Sequence, residues 1–545
     1  MSEACDVLAT RRRTIGAYRA LISAHLVWKG EGPWRRVLAY DETCKKLVGV
    51  YGYPEEILDF QYDHTYMVRG LVVDKRRGNI LKMDRHKYVK VAHHGFRPLA
   101  GRLFLARRFL LRCRASLRSP RASRSKKSPC SASKPRGACR PYRSASEKRL
   151  ATYCDTAKVD QFDGADYANV DTLFSLGETY LFCQLVELKE KAMEQDPDSM
   201  IARKSFYDMY NEIRASVDLC HRDGSLKRAV ALDPAKYIHR DDALVPMLRA
   251  LRASGKKTFL LTNSLWDFTN VVMNYLVADA KGEKKTTEWM ELFDAVITGS
   301  CKPGFFENER AGIFAVDVDS GTLHNTDDGA PMTPIGASKA ASAADDAMGR
   351  LGSDGTKAYQ GGSYRHLHAM LGISSGNKVL YVGDHIYGDI LRSKKTLGWR
   401  TMLVVPELAH EMECLEKAEE AKIPARLRQL QQRRDRLADA LQLAAWRREK
   451  LGGEQVVGKD YEVLLAKADS AREEHRQEMR ELHAGFHRVW GQMMKAGNQN
   501  SRFAHQLERY ACLYTSHARN LVAYSPAKSY RGLSDSMPHD LYQDE

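Results

Sequence analysis

Residues 378–389, Lys-Val-Leu-Tyr-Val-Gly-Asp-His-Ile-Tyr-Gly-Asp, join a short apolar run to a turn that carries two carboxylates. A continuous apolar run of this length is typical of a strand buried on both faces of a parallel sheet. Asp384 follows the run closely, and Asp389 comes five residues later. Because ligands of open parallel sheets bind outside the carboxyl ends of the strands, these two acids lie where a binding site is expected.

The same rhythm continues on both sides of this stretch, from residue 242 onward. Two segments have the apolar spacing of helices, Ala243 to Ala253 and Asp267 to Val277. Three more are short apolar runs typical of strands, Thr258 to Thr262, Phe293 to Thr298 and Trp399 to Val405. Apolar strands that alternate with helices predict an α/β fold, with a parallel sheet covered on both faces.

Polar residues follow two more of these strands. Thr262, Asn263 and Ser264 come directly after an apolar strand, and Lys302 follows the strand that ends near Gly299. Taken singly, a Thr-Asn pair after a strand is more often a turn or a helix cap, and an isolated Lys is usually solvated. Together, a hydroxyl group, an amine and two carboxylates at one sheet edge predict a site for a phosphate group and a divalent cation.

These motifs are similar to the second, third and fourth motifs of the haloacid dehalogenase superfamily of phosphohydrolases. More narrowly, the chain resembles the cytosolic purine 5′-nucleotidases, which act on IMP and GMP. The resemblance covers residues 46–408, is interrupted by a basic segment and continues weakly to residue 514. The stretches that carry it are Gly52 to Leu58, Arg69 to Asp74, Arg214 to Lys227, Thr262 to Ser264, Cys301 to Phe306 and Gly383 to Lys395. It implies a Rossmann-like three-layer α/β domain with a parallel sheet, an inserted cap subdomain and a C-terminal helical region.

The resemblance also implies a Mg²⁺-dependent 5′-nucleotidase that removes phosphate from purine nucleoside monophosphates in the cytoplasm. Thr262 and Lys302 match catalytic positions: Thr262 would hold the transferring phosphoryl group, and Lys302 would neutralise its charge. Asp384 would coordinate Mg²⁺, and Asp389 would support the ion directly or through water. The residues that match substrate-binding positions are Phe174, Arg214, Asp218, His221, Lys227, Asn263 and Ser264.

One motif of the superfamily has no counterpart in this sequence. The reaction needs an aspartate nucleophile and a second acid two residues later, both within an Asp-x-Asp-x-Thr sequence that ends the first strand. Residues 20–36, where this motif is expected, contain no Asp. Loss of the nucleophile predicts a chain that is inactive or nearly so. Either the amino terminus replaces the true first strand, or the chain is a non-catalytic nucleotide-binding pseudoenzyme or assembly protein.

The net charge of +16 arises in a single segment. Residues 97–149 contain 17 Lys or Arg and one acid, whereas the rest of the chain has 68 basic and 68 acidic residues. Their Arg, Ser, Lys and Pro content predicts a disordered insertion. It could be a solvated loop, untranslated sequence carried into the protein, or an RNA- or phosphate-binding arm. Residues 121–128 offer charge without aromatic side chains for base stacking, so nucleic acid is not the expected partner.

Other features exclude several classes of protein. No run approaches the roughly 18 apolar residues that a membrane-spanning helix needs, so no membrane association is expected. The chain has 11 cysteines but no Cys-x-x-Cys pair, which argues against a zinc site and favours a reducing compartment.

The expected organisation has six parts. They are a divergent N-terminus (1–45), a β-meander (46–96), the basic insertion (97–149), a helical substrate-binding region (150–237), the α/β core (238–410) and a helical C-terminal region (411–545). In the last region, apolar residues near a three-four spacing predict a helical hairpin packed on the domain: Leu427, Leu430, Leu437, Leu441 and Ala444. An oligomer contact would give the same pattern, so a homo-oligomer stays open.

Overall fold

The computed structural model describes residues 14–16, 38–99, 164–277, 286–323, 355, 357–451, 457–526 and 528. Residues 100–149, most of the segment for which we expect disorder, lie outside these ranges. Within the described part of the chain, no helix is both long enough and apolar enough to cross a bilayer.

The described strands build one large mixed sheet, one smaller antiparallel sheet and a short hairpin. In chain order they are β1 (Thr14–Gly16), β2 (Leu71–Asp74), β3 (Asn79–Met83), β4 (Val89–His94), β5 (Arg97–Pro98), β6 (Tyr167–Val170), β7 (Thr258–Leu261), β8 (Ala295–Thr298), β9 (Ile313–Ala315), β10 (Ala358–Gly361), β11 (Val379–Gly383), β12 (Arg400–Val404), β13 (Lys495–Ala496), β14 (Gln499–Asn500) and β15 (Leu513–Thr515).

The described α-helices range from single turns to two long C-terminal helices. They are α1 (Leu38–Tyr51), α2 (Leu173–Gln195), α3 (Met200–Arg203), α4 (Phe206–Arg222), α5 (Ser225–Leu232), α6 (Pro234–Tyr237), α7 (Leu244–Ala253), α8 (Trp266–Val277), α9 (Tyr364–Leu371), α10 (Arg392–Leu397), α11 (Leu408–Glu420), α12 (Ile423–Leu451), α13 (Val457–Phe486) and α14 (Arg502–Tyr510). A π-helix, Ile386–Leu391, precedes α10.

The large sheet has the strand order β15-β12-β11-β1-β7-β8-β10-β9. Its neighbouring strands are parallel except for β9 and β10, which run antiparallel. The strands predicted from apolar runs stand on both sides of β1, with β11 and β12 on one side and β7 and β8 on the other. The prediction of an α/β fold with a parallel sheet is therefore confirmed.

Residues along the central strands alternate between two apolar clusters. Leu260, Val296 and Leu380 pack with residues of α7 and α8 on one face of the sheet. Phe259, Ile297 and Tyr381 pack with Trp399 and with residues of α9 on the other face. Because both faces are buried, these strands are continuous apolar runs, and the domain has three layers.

β1 fills the centre of the sheet between the strands that carry the polar motifs. Gly16 pairs with Tyr381 on β11 and with Phe259 on β7, both in parallel register. The strand lies just before residues 20–36, the interval in which we expected the missing acidic motif. The sequence from Ala17 to Val37, which follows it, contains Glu31 as its single acid.

The smaller sheet has the order β5-β4-β3-β2-β6, in which the consecutive strands β2, β3 and β4 are antiparallel neighbours. β6 pairs with β2 although the basic segment separates them in sequence. The prediction of disorder is wrong for residues 97–99, because β5 extends the antiparallel sheet and Leu99 N donates to Ala92 O at 2.8 Å. Arg97 also pairs with Glu187 of α2 at 3.0 Å. At the other end, α1 spans the expected boundary between residues 45 and 46.

The predicted C-terminal hairpin is present as α12 and α13. Arg426 pairs with Glu478, and Arg433 pairs with Glu474. The residue numbers of the partners increase along α12 and decrease along α13, so the two helices are antiparallel. Leu427 and Leu441 from the predicted apolar spacing are buried.

Candidate functional site

Three chain segments that follow strands of the large sheet carry the predicted site residues. Thr262 follows β7, Lys302 follows β8, and Asp384 follows β11. Since these strands are parallel and lie on both sides of β1, their carboxyl ends meet at one edge of the sheet. Thr262, Lys302, Asp384 and Asp389 are all buried.

Lys302 and Asp389 form a buried ion pair at this edge, with Lys302 Nζ 2.9 Å from Asp389 Oδ1. The ammonium group also donates to Tyr381 Oη at 2.6 Å and to the Leu261 carbonyl oxygen at 3.1 Å. Tyr381 Oη in turn donates to Asp389 Oδ1 at 3.2 Å. The segments after β8 and β11 are therefore joined directly. Tyr381 takes part in these contacts, although its place in an apolar strand predicted only a core residue.

Asn263 joins the segments after β7 and β8. Its Oδ1 accepts from Ser300 Oγ at 2.9 Å and from the Lys302 backbone N–H at 2.7 Å, and its Nδ2 donates to the Lys302 carbonyl at 3.1 Å. Thr262 Oγ1 accepts from the Ser264 backbone N–H at 3.1 Å. The predicted substrate-binding amide thus braces Lys302, and the Thr262 hydroxyl retains its own hydrogen to donate to a ligand.

The turn after β11 holds the Asp389 carboxylate against the end of the strand. A Cβ on Gly383 would meet Asp389 Oδ2 at 2.8 Å, so only glycine admits this carboxylate. His385 Nδ1 accepts from the Tyr387 and Gly388 backbone N–H groups at 3.2 and 2.9 Å, which begins the π-helix that carries Asp389. The local sequence therefore fixes the Asp389 carboxylate relative to the strand end.

These donors can be tested against the Mg²⁺ that the resemblance implies. Among the described residues, no group of three or more His, Cys, Asp or Glu side chains is arranged to hold a metal ion. Mg²⁺ in phosphate sites commonly takes one or two carboxylates and completes its shell with water and phosphate oxygens. Asp384 as a direct ligand, with Asp389 behind it, fits that minimal arrangement, whereas a preformed all-protein cage is absent from the described residues.

The predicted nucleoside-binding residues lie on α2, α4 and α5. Arg214 donates to Glu178 Oε1 at 2.7 Å and to Asp218 Oδ1 at 3.0 Å. The rings of Phe174 and His221 contact edge to face, with centroids 5.9 Å apart. Lys227 is half-buried on α5.

Glu178 is a buried residue of this cluster that the sequence did not mark. It lies among leucines in α2, and the helical spacing of apolar residues does not show that an acid there is buried. Burial raises the pKa of its carboxyl group to about 7, against the opposing effect of Arg214. The cavity beside it, lined in part by Phe174 and Tyr40, holds about 20 Å³, which is room for one water molecule. Side chains must therefore move before a purine could enter there.

A buried polar contact links the turn after β11 to the smaller antiparallel sheet. Arg502 of α14 binds both carboxylate oxygens of Asp171, at 2.9 and 3.1 Å, and also donates to Tyr387 Oη at 2.9 Å. Asp171 directly follows β6, and Tyr387 lies between the two site acids in sequence. The edge that carries Asp384 is thus tied to the end of the antiparallel sheet.

Two comparisons show which known proteins this chain is similar to. The model of the 5′ nucleotidase family matches residues 33–105 and 140–542, and the gap between the two parts lies within the basic segment. The chain is also similar to a 5′-nucleotidase domain-containing protein from Dictyostelium discoideum, with 24% identity over 517 residues that cover 92% of this chain and 69% of that protein. Since the family match spans most of its length, the chain belongs to the 5′ nucleotidase family.

Proposed function

We propose that the carboxyl edge of the large sheet binds the phosphate group of a purine nucleoside 5′-monophosphate together with Mg²⁺. The observation that carries this proposal is the convergence of Lys302 and Asp389, 2.9 Å apart, from two different motif segments. Thr262 supplies a hydroxyl donor to the phosphate, Lys302 supplies positive charge, and Asp384 supplies a carboxylate for the cation. Such a set of groups suits a phosphoric monoester and its metal ion.

The reaction that suits this site is hydrolysis of the monoester through an aspartyl-phosphate, as in haloacid dehalogenases. Attack by a carboxylate would form the aspartyl-phosphate and break the P–O bond to the 5′ oxygen, and a second acid would protonate the leaving alcohol. Water would then cleave the aspartyl-phosphate to release phosphate and the free carboxylate. Neither acid follows β1 in this sequence, where Ala17 and Arg19 stand at the corresponding spacing. We therefore expect this chain to bind the nucleotide with little or no turnover, which makes a non-catalytic nucleotide-binding role the second candidate.

The experiment restores the acidic motif directly after β1. The triple variant Ala17→Asp, Arg19→Asp, Leu21→Thr has the spacing Asp-x-Asp-x-Thr, and its matched control carries Asn at positions 17 and 19. Phosphate release from IMP, GMP, AMP, CMP and UMP is measured with and without Mg²⁺, and binding is measured by calorimetry. We expect Mg²⁺-dependent release by the restored variant at least about a hundredfold above the control.

The two measurements separate the parts of the proposal. Wild-type protein should bind purine monophosphates more tightly with Mg²⁺ present and release no phosphate above the blank. Failure of all variants to bind any nucleoside monophosphate would show that the site is assigned wrongly. Wild-type hydrolysis at an ordinary enzymatic rate would instead show that the nucleophile lies elsewhere than after β1.

A further inference from the structure

The ring of Tyr381 is held on several sides by other aromatic rings. Its centroid lies 6.3 Å from that of Phe259, with the two planes nearly parallel, and 5.8 and 5.6 Å from those of Phe306 and Trp399. Its strand, β11, lies inside the large sheet between β12 and β1. Since the residue is 2% exposed, the close-packed core leaves neither its backbone nor its ring room to shift. The Tyr381 hydroxyl is therefore a fixed point at the edge of the site.

The direction of the hydrogen bonds at this hydroxyl follows from its two neighbours. Lys302 Nζ lies 2.6 Å from Tyr381 Oη, and an ammonium group can only donate, so the hydroxyl oxygen accepts there. The hydroxyl hydrogen is then directed to Asp389 Oδ1, 3.2 Å away, because a carboxylate can only accept. Tyr381 thus contacts both the cation and the anion of the buried pair from one fixed position.

The three acceptors of Lys302 differ in their freedom to move. The Leu261 carbonyl belongs to β7, a strand paired on both sides, and the Tyr381 hydroxyl is fixed by its ring. The Asp389 carboxylate instead ends a side chain on the π-helix that follows β11. Its Oδ2 meets the His385 backbone N–H at 3.4 Å, which is a long hydrogen bond. Asp389 is therefore the acceptor that can leave Lys302 most readily.

We propose that Tyr381 is a positioning residue that couples phosphate binding to the release of Asp389, an inference that rests on the proposed function. The ammonium group of Lys302 has three hydrogens, and the Leu261 carbonyl and the Tyr381 hydroxyl occupy two of them with acceptors fixed in the core. A phosphate oxygen can therefore bind Lys302 only in the place of Asp389. The released carboxylate becomes available to support Asp384 in holding the cation.

The exchange is favourable when phosphate and cation are bound together. The side chains of Lys302 and Asp389 are each 1% exposed, and a buried ion that loses its partner is strongly destabilised. With both ligands present, Lys302 gains the phosphate and Asp389 gains the charge of the cation. With phosphate alone, Asp389 would lose its countercharge. Phosphate and Mg²⁺ should therefore strengthen each other's binding, by an equal factor in both directions.

Removal of the Tyr381 hydroxyl should loosen this coupling. In Tyr381→Phe the ammonium group has an unused hydrogen, which can bind a phosphate oxygen while Asp389 stays on Lys302. Phosphate then no longer releases the carboxylate, and Mg²⁺ contributes less to binding. Phenylalanine fills the space of the tyrosine ring, so we expect the variant to fold.

The test measures the Kd of IMP by calorimetry without and with Mg²⁺, and the ratio of the two values is the coupling factor. Tyr359→Phe is the matched control, because Tyr359 is also 2% exposed in the large sheet but packs with Ile313 and Met370. Asp389→Asn and the double variant Tyr381→Phe, Asp389→Asn show whether the hydroxyl acts through Asp389. Melting temperatures check that each variant folds.

We expect the coupling factor of Tyr381→Phe to be about tenfold smaller than that of wild type, as for the loss of one hydrogen bond to a charged group. Its binding of IMP without Mg²⁺ should be no weaker than that of wild type. Asp389→Asn should lose at least as much coupling, and adding Tyr381→Phe to it should change the factor no further. Tyr359→Phe should keep the wild-type factor within about twofold, the usual effect of a distant, independent change.

The outcomes separate this inference from the assignment of the site. A wild-type coupling factor in Tyr381→Phe or in Asp389→Asn would overturn the inference and leave the site assignment standing. Weaker binding of IMP to Tyr381→Phe without Mg²⁺, or a further loss of coupling in the double variant, would do the same. Absence of IMP binding to wild type, with and without Mg²⁺, would instead overturn the proposed function and this inference with it.

Discussion

Lys302 uses its ammonium hydrogens on protein groups even without a ligand. Its three acceptors are the Leu261 carbonyl, the Tyr381 hydroxyl and the Asp389 carboxylate, all within 3.1 Å. An ammonium group has three hydrogens to donate, so its hydrogen-bonding capacity is filled by the fold. The ion pair is thus a structural element of the sheet edge, and a bound phosphate would first meet the Thr262 hydroxyl and the cation.

Replacing Lys302 should destabilise the protein strongly. Lys302→Met leaves the Asp389 carboxylate buried without a cation, and removal of one partner of a buried pair costs about 3–5 kcal/mol in free energy of unfolding. Urea denaturation measures this loss. The double variant Lys302→Met, Asp389→Asn should recover much of it, because no unpaired charge remains. Lys417→Met is the control: it breaks an exposed pair with Glu413 and should leave the midpoint unchanged. A single variant as stable as wild type would contradict the structural role of the pair.

Site residues that follow a strand could be predicted from the sequence, whereas a site residue inside a strand could not. Thr262, Lys302 and Asp384 could be predicted because each polar residue follows an apolar run, where a parallel sheet collects ligands. Tyr381 could not, because its apolar neighbours in β11 make it indistinguishable from a core residue. Its hydroxyl acquires a role only through contacts with Lys302 and Asp389, which are distant in sequence.

At the scale of elements, an ion pair between the buried Glu178 and the half-exposed Arg214 joins α2 to α4. Glu178 of α2 is 3% exposed and receives a hydrogen bond from Arg214 of α4. Because burial raises the pKa of Glu178 from its usual value near 4.5 to about 7, the folded protein binds a proton there that the unfolded chain has released. This acid therefore makes stability decrease as pH rises from about 4.5 to about 7.

The change that tests this effect is Glu178→Gln. We expect the free energy of unfolding of wild type, relative to that of the variant, to fall by up to about 3 kcal/mol between pH 4.5 and 7, since one pKa unit is worth about 1.4 kcal/mol. Urea titrations across this interval give the difference. Asp218→Asn, which changes the exposed partner of the same Arg214, should keep most of the wild-type slope. A difference that does not vary with pH would mean that the Glu178 pKa is ordinary.

Elements with continuous apolar runs could be predicted within a few residues, as β7, β8, β11 and β12 illustrate. β1 could not, because Thr14-Ile-Gly is too short to give a pattern and is defined only by its pairing with β7 and β11. β6 likewise depends on pairing with β2 across the basic segment. Non-local pairing of this kind leaves no local signal in sequence.

At the scale of the whole molecule, the basic segment joins opposite edges of the antiparallel sheet. β5 lies at the very start of this segment, β6 begins after it, and three strands lie between β5 and β6 in the sheet. With neighbouring strands about 4.8 Å apart, the two ends are about 19 Å from each other. A linker of residues 150–163, fully extended at about 3.3 Å per residue, would span about 46 Å. The sheet can therefore form without residues 100–149.

Deletion of residues 100–149 should accordingly leave the fold intact and change the charge of the protein. The segment contains 16 Lys or Arg and one acid, so its removal lowers the net charge from +16 to +1. Retention on a heparin column should then be lost, because the remaining charges are nearly balanced and dispersed. Melting temperature and nucleotide binding should match wild type, since the deletion starts after β5 and spares the Arg97–Glu187 pair. Retention that survives the deletion would place the polyanion-binding surface on the folded domains, and loss of nucleotide binding would make the segment part of the site.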